Sequence, residues 1–276
     1  MTDDFTGKGD PQKTLRLLWG SAPTGRRGPK AKLALRDVVG AAIAIVDREG
    51  LTALTTRRVA ESLGISPMSL YTHVPGKDEL LDLMVDAVLG EIERPCGATW
   101  REKLTDVAKQ NWTLAMRHPW ILEVVTHRPV IGPNLFAKYE MELSAVDGLG
   151  LGEIEMNRAL TLVLDYVAGV VRGAARERWV KERTGKTDTE WWYEVAPLIA
   201  ELTKDRSFPL AERVGSVFGE THGAHDPEGD FAFGLERILD GLERFIASKA
   251  KTPAAKKKAA TAAPRPTRGS RSARRG

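Results

Sequence analysis

The chain has 276 residues, 42% of them hydrophobic, enough for one large or two ordinary globular domains, and its single cysteine, Cys96, excludes an internal disulfide and any multi-cysteine metal site. It holds no apolar run of about 18 residues, and MTDDFTGKGDPQK at the start is acidic and polar rather than basic then apolar, so neither a membrane span nor a secretory signal is expected and the location reads as cytoplasmic. The net charge of +4 and pI of 9.1 come from one end: Lys249 to Gly276 carries ten Lys and Arg and no acid, leaving an acidic body of 31 basic and 37 acidic residues.

Residues 1–32 read as a flexible arm rich in Gly, Pro and Thr, with GRRGPKAK (Gly25 to Lys32) as its basic part. From Leu33 the pattern is helical, with Val38, Ala42, Ile45 and Val46 on one face and Gly50 as the stop. In LTALTTRRVAESLG, Thr55 is the expected cap, Val59, Ala60 and Leu63 share a face, and Gly64 closes the helix. Ser66-Pro67 then starts a short helix, a capping hydroxyl followed by proline at the first helical position, and Pro75-Gly76 ends it. KDELLDLMVDAVLGEIER follows as a longer helix facing inward through Leu80, Leu81, Met84, Val88 and Ile92. Further helices are expected over 100–118, 120–126, 133–149, 153–183, 190–202 and 226–249, with loops at 184–189 and 204–225. The fold class is therefore all-α. Its expected units are the arm (1–32), a helix-turn-helix domain (33–80), a larger helical regulatory and dimerisation domain (81–248), and a low-complexity basic tail (249–276) that should be disordered.

Two short helices around Gly64, joined by Val59, Ala60, Leu63, Ile65 and Leu70, have the spacing of a helix-turn-helix. That packing leaves Pro67, Met68, Ser69, Tyr71, Thr72 and His73 on an outward side, where small and polar side chains can approach base edges in the major groove. An ordinary pair of core helices would show the same apolar pattern.

The stretch LTALTTRRVAESLGISPMSLYTHVPGKDELLDLM closely resembles the DNA-binding domain of TetR-family bacterial transcriptional regulators. THRPV at 126–130, ALTLVLDYVAGVV at 159–171 and FAFGLERILDGLE at 231–243 resemble the regulatory domain of the tetracycline-repressor branch, so the likeness runs over roughly residues 33–247. The resemblance implies a sequence-specific regulator, in the commonest form a repressor released from a palindromic operator by a small molecule, working as a homodimer on double-stranded DNA. It places Thr56 and Arg57 at phosphate and base, Met68, Ser69, Tyr71, Thr72 and His73 on the reading face, and Lys77 at a phosphate. It also implies that the long helix from Glu153 and the last helix form half of a four-helix bundle between two subunits. Arg26, Arg27 and Lys30 are candidates for the minor groove, or belong to a merely solvated arm. The tail would add sequence-independent, salt-sensitive affinity.

Trp112, Met116, Trp120, Phe136, Tyr139 and Tyr166 are the candidates for an effector cavity, although aromatics at helical spacing are also what a core contains. Where tetracycline repressors hold the drug's magnesium ion through His and Glu, this chain reads Val124 and Gly173; at the drug's polar edge it reads Glu93 and Val107. These side chains do not replace imidazole or carboxylate ligands, so a different, more apolar effector is expected and no metal or other cofactor. HGAHD places His222 and His225 three apart in a Gly-rich stretch with nothing to fix metal geometry, and His118 and His127 add no ligand set. Two other classes compete with this reading: an architectural, nucleoid-type DNA binder driven by the tail, and an enzyme, for which no nucleophile elbow, phosphate loop or metal cluster speaks.

Overall fold

The computed structural model describes residues 4–20, 33–124 and 128–250, and within them eleven α-helices and no β-strand. Four of these helices build the first layer: α2 (Leu35–Glu49), α3 (Thr56–Ser62), α4 (Pro67–Tyr71) and α5 (Lys77–Leu89). The local signals act as their chemistry dictates. The Thr55 hydroxyl accepts from the Arg58 amide at 3.2 Å, and the Ser66 hydroxyl accepts from the Ser69 amide at 3.2 Å behind Pro67. At the end of α3, Ile65 N–H donates to the Ala60 carbonyl and Gly64 N–H to that of Glu61, a Schellman closure that needs the positive φ of +66° at Gly64. Val38, Ala42, Ile45, Val46, Val59, Ala60, Leu70, Val74, Leu80, Leu81 and Met84 are buried together. This core continues through Leu114, Trp120 and Val130, and the division expected after residue 80 falls inside α5.

The second layer consists of α6 (Trp100–Arg117), α7 (Pro133–Leu143), α8 (Glu153–Thr184) and α11 (Pro227–Ala250). Leu104, Val107 and Ala108 of α6 pack with Leu160, Val163 and Val167 of α8 and Leu235, Leu239 and Leu242 of α11. With 32 residues, α8 is about 48 Å long. It ends in a hairpin of α9 (Asp188–Thr203) and α10 (Pro209–His222), which pack on each other where the Trp192 ring covers Gly219.

Two segments differ from their sequence reading. Within the stretch read as an arm, Pro11–Leu18 form α1, started by the Asp10 carboxylate, which accepts from Gln12 and Lys13 amides, and held on α5. Within the stretch read as a loop over 204–225, α10 forms: Leu210, Val214, Val217 and Phe218 keep helical spacing, masked in the sequence by Gly215 and Gly219. Smaller shifts concern ends. Residues 119–122 make a 3-10 turn, α7 stops at Leu143, and α5 stops at Leu89.

The N-terminal segment is a strap that joins α5 to the beginning of α7. Gly7 N–H donates to the Asp82 carboxylate at 3.0 Å, Asp10 N–H to Glu79 at 3.1 Å, and the Thr6 hydroxyl to the Arg128 carbonyl at 2.5 Å. Beyond α1, the Trp19 indole donates to the Ile131 carbonyl at 3.0 Å and meets the Phe136 ring edge-on at 5.9 Å. Asp86 of α5 accepts from the Asn134 and Leu135 amides, so it supplies the cap that α7 lacks locally. Three buried carboxylates on α5 thus exist for partners far away in sequence. Burial pushes Asp82 up to about 6; the charges of Glu79 and Asp78 add to the rise, and the Gly7 hydrogen bond opposes it.

Candidate nucleic-acid interface and effector region

In α4, Leu70 and Val74 just beyond it turn fully inward, so the other side of the helix is set outward by the core itself. Met68 is 75% exposed and Tyr71 46%, and Ser69 and Thr72 are exposed beside them, while His73 is half-buried. Ser69 shares a 2.9 Å hydrogen bond with the Ser66 hydroxyl, and the Thr72 hydroxyl donates to the Ser69 carbonyl at 2.6 Å. The Tyr71 and Thr56 hydroxyls lie 3.2 Å apart, which ties α4 to the first turn of α3. Arg57 is exposed, and its Nε donates to Glu61 at 2.8 Å, an (i, i+4) surface pair that water screens and that a phosphate or base edge can replace. Thr56 and Arg57 therefore lie on α3 and Met68, Ser69 and Tyr71 on the adjoining α4, with Thr72 at its C-cap. Lys77 opens α5 and pairs with Asp4 of the strap at 2.8 Å, a contact that a phosphate would have to displace. Arg26, Arg27 and Lys30 lie outside the described residues.

This head is joined to the second layer by a polar link that the sequence reading passed over. His118, buried at the end of α6, makes a 2.7 Å hydrogen bond through Nδ1 to Asp47 of α2 and a 3.1 Å one through Nε2 to Glu91 beyond α5. The Trp120 indole donates to the same Asp47 oxygen at 2.8 Å, and Arg117 pairs with Glu91 at 2.5 Å. A lone histidine at a helix end carries no such signal, because Asp47 stands 71 residues away.

The six aromatic and Met candidates for an effector cavity are not brought together. Trp120 is buried in the first core. Phe136 is exposed against Trp19, and Tyr139 is exposed with its hydroxyl donating to Asn157 at 2.9 Å. Trp112 packs on Phe231 with ring centroids 4.8 Å apart, Tyr166 donates to the Asp230 carbonyl, and Met116 is half-buried with its carbonyl accepting from Arg178. Their helical spacing served packing between α6, α8 and α11 and contacts to the strap. A cavity of about 770 Å³ lies elsewhere, between the end of α2, the 3-10 turn at 119–122 and the second half of α8; of the six, only Trp120 lines it. Inside the second layer, Lys138 and Glu142 form a buried ion pair at 2.7 Å, and Asn111 donates to the same carboxylate at 2.7 Å.

A tight helix-turn-helix with an outward recognition helix, mounted on an all-helical second layer through α5, α6 and the His118 link, defines a transcriptional regulator that binds DNA. Residues 38–84 match the family model described as bacterial regulatory proteins, tetR family, and residues 95–246 match that of the tetracyclin repressor-like C-terminal domain. The chain is 40% identical over 250 residues to the HTH-type transcriptional repressor DrrR1 of Streptomyces coeruleorubidus, covering 89% of this chain and 90% of that one. It is 26% identical over 227 residues to the tetracycline repressor protein class E of Escherichia coli, covering 81% and 97%. The crystal structure of the Streptomyces coelicolor TetR family protein ActR in complex with actinorhodin superposes with a TM-score of 0.62 at 25% identity, covering 78% of this chain and 99% of that one. The chain belongs to the TetR family of transcriptional regulators. These relatives are regulators and not architectural DNA binders, and the tail-driven alternative finds no support among them. No described helix is long and apolar enough to cross a membrane.

Proposed function

We propose that the chain is a cytoplasmic, homodimeric repressor, not an enzyme, which holds a palindromic operator until a small-molecule effector releases it. The observation that carries this reading is the division of α4: Leu70 is fully buried while Met68, Ser69, Tyr71 and Thr72 face outward. In this reading Ser69, Tyr71, Thr72 and His73 meet base edges and Met68 packs against thymine methyl groups. Arg57 reads a guanine bidentately, and Thr56 and Lys77 take phosphates. Two-fold pairing is supported by the apolar side chains left exposed on the packed helices α8 and α11, among them Ile154, Leu162, Phe233 and Phe245. Pairing through them would set two recognition helices about one DNA turn apart. The residues 33–80 would then read DNA and those over 81–248 would pair and sense, with the tail from 249 adding nonspecific affinity.

The tetracycline repressors and ActR among the relatives point to a ligand-responsive mechanism in which the effector favours a spacing that misses adjacent major grooves. Val124, buried and apolar, and Gly173 offer no donor to a metal ion, so the effector proposed here is bound without one. Selection of binding sites from random duplexes tests the reading. A two-fold palindrome should emerge, with half-sites one turn apart; recovery of no sequence preference would overturn it.

A further inference from the structure

Asp4 stands against the ammonium of Lys77, the group assigned above to a DNA phosphate. An ion pair between two free surface side chains contributes little, because ordering both offsets their attraction. Here both side chains are partly buried, and the acid is carried on a fastened backbone. Just beyond Asp4, the Thr6 hydroxyl donates to the Arg128 carbonyl, the Gly7 amide to Asp82 and the Asp10 amide to Glu79. Thr6, Asp82 and Glu79 are all buried. Two glycines shape the fit: Gly7 takes a φ of +72°, and a Cβ at Gly9 would lie 2.6 Å from the Glu79 carboxylate. Then α1 packs on α5, and Trp19 fixes the far end at Ile131. Lys77 has acidic neighbours in its own first turn, Asp78 and Glu79, yet it pairs with Asp4, and Glu79 is turned to the strap. The N-cap of α5, Gly76, offers no side-chain acceptor, so the helix dipole and the ammonium both favour an anion from elsewhere at this end.

We propose that the N-terminal strap is an autoinhibitory clasp, in which Asp4 occupies Lys77 in place of a DNA phosphate, so that any duplex must displace it. The inference rests on the assignment of Lys77 to a phosphate and adds a regulation to it. Because the backbone beside Asp4 is held, its carboxylate meets Lys77 at a local concentration of about millimolar or above. A duplex, with about one phosphate charge per 1.7 Å, outcompetes a single carboxylate, so the clasp lowers affinity without abolishing binding. Lifting the strap from α5 raises affinity and leaves α4 untouched. The strap therefore sets how tightly DNA is held, and the reading face sets which sequence.

The test is fluorescence anisotropy with the full chain in about 0.1 M salt, on the duplex recovered by the selection above and on a scrambled duplex of equal length. Asp4→Asn should tighten both by about threefold or more and steepen the salt dependence, since Lys77 then neutralises a phosphate without setting an acid free. The double variant Asp4→Asn/Lys77→Ala should bind as Lys77→Ala does, because the gain runs through that ammonium alone. Thr6→Ala unfastens the strap beside Asp4 and keeps the acid; it should show a gain of the same sign, likewise lost without Lys77. An unchanged affinity in Asp4→Asn or in Thr6→Ala would overturn the proposal. So would a gain that survives in the double variant, which would make Asp4 a source of long-range repulsion only. Lys77→Ala is scored by itself. If it weakens binding while Asp4→Asn changes nothing, only the clasp falls; if it changes nothing, the phosphate assignment falls and the clasp with it.

Discussion

Replacing Asp82 with Asn tests how the N-terminal strap is held. Asp82 is 2% exposed, accepts from the Gly7 amide, and titrates near 6 where an unfolded chain has about 3.8. Between those two values the folded state binds more protons than the unfolded state, so the slope of unfolding free energy against pH is negative. The contribution of Asp82 is greatest below the unfolded pKa and is lost as pH rises through about 6. A rise of roughly two units at about 1.4 kcal/mol each gives a ceiling of about 3 kcal/mol, of which about 2 kcal/mol falls between pH 4.5 and 7.5. Asn keeps an oxygen for Gly7 and cannot ionise. Whatever Asp82→Asn costs or gains as an offset, the stability of the variant relative to the parent should rise by about 2 kcal/mol across that window. Urea unfolding followed by circular dichroism at several pH values measures this difference, in which other titrating groups cancel. Parallel stability curves would refute the reasoning, because they would mean that Asp82 ionises in the fold as it does in the open chain.

The DNA contacts separate by chemistry. Arg57→Ala should cost about 1–3 kcal/mol on the cognate operator and relax preference at one base pair, whereas Lys77→Ala should weaken all duplexes alike and reduce the salt slope by about one; a gel shift in which neither changes binding would remove both assignments. Truncation after Ser248 takes away ten basic residues and should lower nonspecific affinity and its salt slope while leaving the operator's sequence preference intact. An unchanged slope would leave the tail without a DNA role.

What was legible in the sequence is what is encoded locally. Thr55, Gly64 and the Ser66-Pro67 pair lie within a dozen residues, and each acts through its own cap or turn, so the corner and its outward face follow from the pattern. The strap was not legible because its fixing points are distant: Gly7 meets Asp82 75 positions on, and Thr6 meets Arg128 122 positions on. An Asp-Pro start in a Gly-rich stretch signals a helix only once α5 offers it a surface. The aromatic residues misled for a related reason. Trp112, Trp120 and Tyr166 have the spacing of a lining, but spacing does not say whether a neighbouring helix fills the space, and here other side chains do. The cavity arises where three segments from residues 46–50, 119–123 and 172–183 converge, far apart in sequence.

The central claim is that α4 reads DNA sequence. Its most direct measurement is the anisotropy of a fluorescent operator and of a scrambled duplex of equal length, titrated with the parent chain and with Ser69→Ala, Tyr71→Phe and His73→Ala. These substitutions, made on or beside a face the core leaves exposed, should weaken operator binding and leave the scrambled duplex unaffected, so that the specificity ratio falls at least tenfold in one or more of them. A ratio unchanged in all three, or equal losses on both duplexes, would contradict it.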